Sequence, residues 1–92
     1  MRLALAGLGL LVAAVVVRAQ EFAPGQVVDQ IVTRADASQS YAVYVPTTFS
    51  RSRDWPVIFV FDPGARGRNA VERLRAAAER FGYVVAGSNN SR

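Results

Sequence analysis

Trp55-Pro56-Val57-Ile58-Phe59-Val60-Phe61-Asp62-Pro63-Gly64 is the stretch on which the fold turns. Val57 to Phe61 is apolar throughout, with no alternation, and proline stands just outside each end of the run. A strand with one face in water alternates apolar and polar residues; one covered on both faces does not. The run therefore predicts a strand in the middle of a parallel sheet. A parallel neighbour needs a crossover, and the following residues supply one. Pro63 to Arg68 reads as a loop, and Asn69 as a helix N-cap with Glu72 three residues on as its capping-box partner. Val71, Leu74, Ala78 and Phe81 form one apolar helix face, while Arg73, Arg75, Glu79 and Arg80 fall off it as a solvated face. Gly82 stops the helix as a left-handed cap, and Tyr83 to Ala86 is a second apolar strand. Val57 to Gly87 is thus a β-α-β unit with an expected right-handed crossover.

Upstream, Gly25 to Thr33 (GQVVDQIVT) is rich in β-branched residues and reads as a strand. Arg34 to Gln39 is a polar turn, and Tyr41 to Val45 a second strand stopped by Pro46. So short a connection predicts an antiparallel hairpin, and Thr47 to Asp54 is a polar loop leading to the deciding run. The expected fold is α/β: an N-terminal β-hairpin plus a β-α-β unit of an incomplete, mostly parallel sheet. A strand pair covered on both faces needs helices on both sides, and only one helix is legible. The expectation is that further layers are encoded beyond Arg92.

The first nineteen residues stand apart. Arg2 is followed by an unbroken Leu, Ala, Gly and Val run from Leu3 to Val17, then by Val17-Arg18-Ala19 and Gln20. A short basic start, an apolar core and small residues before a cut site make a secretory signal peptide over 1–19. The apolar run, about fifteen residues, falls short of the roughly twenty needed to span a bilayer. The expected destination is secreted or periplasmic, with no stable membrane span after cleavage, and residues 20–92 form the domain. The chain has no Cys and no His, which removes disulfides and thiolate or imidazole metal sites. No metal or cofactor is expected. All eleven basic residues are Arg, two of which leave with the signal peptide. They are scattered rather than interleaved with aromatics, so nucleic acid is not an expected partner.

Ligands of open α/β sheets bind beyond the carboxyl ends of the strands. Asp62 to Arg68 (DPGARGR) and Gly87 to Arg92 (GSNNSR) occupy that rim. The order of Ser40-Tyr41-Ala42-Val43-Tyr44-Val45-Pro46, Trp55-Pro56-Val57-Ile58-Phe59-Val60-Phe61 and Phe81-Gly82-Tyr83-Val84-Val85-Ala86-Gly87-Ser88 resembles the start of an α/β-hydrolase. Within that family it is most similar to secreted esterases and dienelactone-hydrolase-like proteins.

The resemblance implies that the loop after the third strand lends a backbone N–H to an oxyanion hole, with the nucleophile elbow G-x-S-x-G later in the chain. Gly64 and Ala65 are the candidate donors, since Pro63 has no N–H. Asp62, Arg66 and Asn89 are candidates for the substrate rim. The implied substrate of the parent protein is a small-molecule ester. Two residues depart from the family pattern: Asp62 stands where His is frequent, and Pro63 where Gly is frequent. A carboxylate there repels an oxyanion unless it turns away into hydrogen bonds.

No G-x-S-x-G occurs among residues 1–92, and without His no Ser-His-Asp relay forms. The chain by itself is therefore expected to be inactive. Three readings stay open: the head of a carboxylic-ester hydrolase, a non-catalytic secreted binding module on the same scaffold, and a nucleotide- or anion-binding α/β domain. The last uses Gly64-Ala65-Arg66-Gly67 ahead of a helix N-terminus, with Asn90-Ser91-Arg92 nearby. DPGARG also serves as a plain strand-to-helix turn.

The leader reading predicts that expression in a bacterium with a periplasm releases a product whose first residue is Gln20. Mass spectrometry of the exported protein checks this, and a product that keeps Met1 and stays with the membranes overturns it.

Overall fold

A computed structural model describes residues 22–92; the signal-peptide reading of 1–19 lies outside them. Four strands and one helix follow in the order β1 (Val27–Val32), β2 (Ser40–Tyr44), β3 (Val57–Val60), α1 (Gly67–Phe81) and β4 (Val84–Ser88). The strands form a single sheet ordered β1-β2-β4-β3. β1 and β2 pair antiparallel as the hairpin, with Val27 opposite Tyr44 and Val32 opposite Ser40, and the register slips between Val28 and Ile31. β3 and β4 pair parallel, Val57 opposite Val84 and Val60 opposite Gly87, so the β-α-β unit forms as expected.

The sheet is mixed rather than mostly parallel. β4 inserts between β2 and β3, antiparallel to β2 with Tyr41 opposite Ser88, and only β3–β4 is a parallel pair. That insertion lengthens β4 to Ser88, beyond the expected Ala86, because β2 supplies partners for Gly87 and Ser88. β3 lies at one margin of the described sheet. Val57, Ile58 and Phe59 are 46%, 39% and 58% exposed, whereas Val85 of β4 is fully buried. The apolar run carries the hydrophobicity of a central strand, but its outer side has no neighbour among the described residues.

α1 packs on one face of the sheet. Val71 and Ala78 are fully buried against Ala42, Tyr44 and Val85, with Val27, Val60, Leu74 and Tyr83 around them. The other face groups Val43, Val45 and Ala86 with Ile31, Tyr41, Phe49 and Val84. Phe81, expected on the inner helix stripe, is 69% exposed, and Ala70 takes an inner place. The helix lies chiefly over β4 and β2 and least over β3, and Phe81 is its last residue.

Helix start and stop have different origins. Gly82 adopts φ 75° and its N–H donates to the Ala78 carbonyl at 2.9 Å, the expected left-handed cap. At the other end α1 begins at Gly67, two residues before the expected N-cap Asn69, and no side chain caps it in the capping-box manner. Glu72 instead meets Arg75 at 3.4 Å. The early start is set by main-chain contact with β4. A Cβ on Gly87 would lie 2.5 Å from the Gly67 carbonyl oxygen and 3.0 Å from Val71 Cγ2. A Cβ on Gly67 would lie 2.5 Å from the Gly87 oxygen and collide with Asn89 Oδ1. Two glycines face to face let the helix sit directly on the strand.

Before β3, Trp55 donates its Nε1–H to the Ser50 carbonyl at 2.8 Å, and Arg53 stacks over its ring at 3.6 Å. The Gly67–Gly87 contact predicts that Gly87→Ala lowers unfolding stability by about 1–3 kcal/mol through overpacking, read from urea denaturation. An unchanged midpoint would show that helix and strand separate without cost.

Candidate rim site at the carboxyl ends of the strands

The carboxyl ends of β3 and β4 bring Asp62 to Arg66 and Ser88 to Ser91 to the same end of the sheet. Asp62 lies just past β3 with its side chain only 3% exposed, and it organises the loop. Its Oδ2 accepts the Gly64 N–H at 2.8 Å, the Arg66 N–H at 3.3 Å and Arg66 Nε–H at 2.9 Å. Oδ1 accepts Arg66 Nη2–H at 3.0 Å, which completes a bidentate pair. Its carbonyl accepts the Ala65 N–H at 2.9 Å and the Ser91 hydroxyl at 2.5 Å. Ala65 holds φ 59°, the single non-glycine residue at positive φ among the described residues.

The Arg66 guanidinium draws the Asp62 carboxyl from 3.8 down to about 2, helped by the Gly64 and Arg66 amides and opposed by burial. Arg66 is raised in turn, first by its hydrogen bond to Asp62.

Asp62 and Arg66 are therefore brought together, while Asn89 is placed on the hairpin side. Asn89 donates from Nδ2 to Ser40 Oγ at 2.9 Å and to the Asp29 carbonyl at 3.2 Å, and its N–H reaches the Ser40 carbonyl at 3.0 Å. Asn90 Oδ1 accepts the Ser40 N–H at 2.9 Å. Arg68 pairs with Asp29 across the helix–hairpin gap. Asn90 and Ser91, noted in the sequence only for the anion-binding reading, complete this rim together with Ser40, which did not stand out. The signal was thin: a serine opening a strand, and a polar tail after one.

The Gly64 N–H points at Asp62 Oδ2 and the Ala65 N–H at the Asp62 carbonyl. Asp62 has turned into hydrogen bonds inside the loop, and each amide is engaged there. An oxyanion would reach either amide only by sharing it with Asp62. The same holds for an external phosphate, because the carboxylate already occupies the cradle of N–H groups ahead of α1.

A second polar cluster lies at the opposite end of the sheet. Glu79 accepts the Tyr44 hydroxyl at 2.7 Å, the Thr47 N–H at 2.9 Å and the Thr47 hydroxyl. Arg75 donates to the Gly25 carbonyl at 3.1 Å and stands 5.3 Å from the Tyr44 ring centroid. These two side chains, expected to be solvated, clamp the loop after β2 and the start of the hairpin onto α1. Thr47, then Tyr44, hold the Glu79 carboxyl below its ordinary range, against the effect of burial. Burial, then Glu79, pushes the Tyr44 hydroxyl up. The hollow of about 510 Å³ beside them includes Tyr44, Thr47, Arg75 and Glu79. It lies away from the strand carboxyl ends, and its Tyr44 and Thr47 hydroxyls are both engaged by Glu79. Among the described residues no three His, Cys, Asp or Glu side chains converge as metal ligands, and no helix is long and apolar enough to cross a membrane.

Comparison with known proteins returned no match to a family model, to a curated protein or to a solved structure.

Because the Asp62 pKa is depressed on folding, its contribution to stability is present above about pH 4 and is lost as pH falls through about 2. Urea midpoints of the native chain should therefore drop across that window. In Asp62→Asn the midpoint at neutral pH should be lower and the drop shallower. Parallel pH profiles for the two proteins would contradict the assignment.

Proposed function

We propose that the chain supplies the opening strands, first helix and rim loop of a secreted α/β-hydrolase-like protein that cleaves carboxylic esters, and is inactive by itself. One observation carries the reading. A hairpin feeds a parallel β-α-β unit, and the loop between β3 and α1 meets the tail of β4 at the carboxyl ends of that parallel pair. In an α/β-hydrolase this loop lies beside the nucleophile elbow and contributes to the oxyanion hole.

The chemistry of the described residues accounts for the inactivity. Ser40 and Ser88 are buried, and Ser91 donates to the Asp62 carbonyl. Ser38 reaches the Asp36 carboxylate at 2.6 Å, but that carboxyl is held below its ordinary value by the Ser38 hydroxyl itself. A carboxylate of lowered pKa is a poor general base. With no His in the chain, no serine is activated. The nucleophile, the acid and the base of this reading come from sequence beyond Arg92.

A second reading has an observation of its own. The Asp62–Arg66 clamp fills the loop's amides, which suits a rim that shapes a binding surface without catalysing.

The test is to express the open reading frame with whatever coding sequence follows the Arg92 codon and to assay short-chain p-nitrophenyl esters. The hydrolase reading expects turnover in the extended protein, abolished by Ala at its elbow serine, and none in the 92-residue chain. A folded, extended protein without turnover would leave the binding-module reading in its place.

A further inference from the structure

Asp29, Asp36, Asp54 and Asp62 are followed by Gln30, Ala37, Trp55 and Pro63, so residues 1–92 hold a single Asp–Pro bond. The amide nitrogen of proline carries no hydrogen and takes a proton from acid more readily than other peptide nitrogens do. An aspartate side chain lies within reach of its own carbonyl carbon, so that attack on it is intramolecular and closes a cyclic anhydride. Such a bond is the weak one of a chain in acid, and the fold decides how weak.

In this loop the participants are held together. Asp62 Oδ2 takes the Gly64 and Arg66 amides and Arg66 Nε–H, whereas Oδ1 takes, among the described residues, only Arg66 Nη2–H. Oδ1 is therefore the oxygen freer to leave its partner. The Asp62 carbonyl accepts the Ala65 N–H at 2.9 Å and the Ser91 hydroxyl at 2.5 Å. Two donors on one carbonyl oxygen stabilise the charge of a tetrahedral intermediate. Pro63 is exposed, so hydronium reaches its nitrogen while the carboxylate beside it stays buried. Ala65 holds φ 59°, a conformation that costs a residue with a side chain, and opening the loop relieves it.

We propose that the Asp62–Pro63 bond is a self-cleavage site, cut in mild acid by the Asp62 carboxylate. Oδ1 adds to the Asp62 carbonyl carbon, and negative charge gathers on the oxygen held by Ala65 and Ser91. The carbon–nitrogen bond breaks as hydronium protonates the Pro63 nitrogen, which leaves as a secondary amine. Water opens the anhydride and leaves Asp62 with a free C-terminal carboxylate. The charged group facing the carboxylate is Arg66; the tail of β4 adds the neutral Ser91 hydroxyl. Because Arg66 draws the carboxyl from 3.8 down to about 2, it stays ionised where protons for the leaving nitrogen are plentiful. The cut leaves both pieces in place. One keeps β1, β2 and β3, the other α1 and β4, and β4 is paired between β2 and β3.

The inference does not depend on the hydrolase reading, since its readout is fragment mass rather than ester turnover. The 92-residue chain is incubated across the acid range, with and without denaturing urea, and followed by mass spectrometry. At about pH 3 the folded chain should yield pieces ending at Asp62 and beginning at Pro63 about tenfold faster than the chain in urea. The folded rate should rise with acidity until it levels near 2, whereas in urea it levels near the ordinary 3.8. Ser91→Ala should slow the folded chain and keep the levelling point near 2, which separates loss of a donor from loss of the fold. Asp62→Asn removes the nucleophile; the exposed Pro63→Ala keeps the carboxylate, and both should stay uncut. Cleavage no faster folded than in urea, a Ser91→Ala rate equal to the native one, or earlier cuts after Asp29, Asp36 or Asp54 would each overturn the proposal.

Discussion

The main chain of Gly67 rests on the main chain of Gly87, and most of the architecture follows from that contact. Neither residue has room for a Cβ, so α1 begins where β4 is about to end. The loop leaving β3 must reach that point within Phe61 to Arg66. It does so by a tight turn in which Ala65 takes a left-handed conformation. Close seating also brings Val71 onto Val85 and Ala42, and it aligns the helix with the centre of the sheet instead of its β3 side.

Within that turn Asp62 behaves as an internal anion. A buried carboxylate is costly unless it is paired and hydrogen-bonded, and here a guanidinium and two amides satisfy it. The arrangement explains why the loop tolerates an acidic residue ahead of a helix with no acidic side chain in its first turn: the carboxylate comes from the strand side. The rim is consequently rigid, with its donors facing inward. What it offers outward is the remainder of the Arg66 guanidinium and the polar tail from Asn89.

Much of the backbone was legible before any coordinates. The hairpin, the β-α-β unit and the Gly82 stop all follow from local pattern, because β-branched runs, helical periodicity and a terminal glycine act over a few residues. Strand order is another matter. The Val57–Phe61 run reports hydrophobicity but not which strands lie beside it, so the insertion of β4 between β2 and β3 was not legible. The helix start was misread for a similar reason. Asn69 and Glu72 make a plausible local cap, yet a glycine contact with a strand twenty residues away decides the boundary. Glu79 and Arg75 looked solvated because the loop that folds back onto them is distant in sequence. At the rim, the resemblance directed attention to Gly64 and Ala65. The four-residue spacing of Asp62 and Arg66 would have announced a clamp to a reader asking where a carboxylate in a tight turn finds its partners.

The two margins of the sheet are unlike. β1 is irregular between Val28 and Ile31, and at that break it carries exposed Asp29 and Gln30, with Asp29 held by Arg68. β3 is regular and uncharged. Such a sheet has a polarity: a strand can be added in register beside β3, whereas the bulged and charged β1 side resists one. The irregularity in the hairpin strand is thus a terminator: it marks the β1 flank as the side at which strand addition stops.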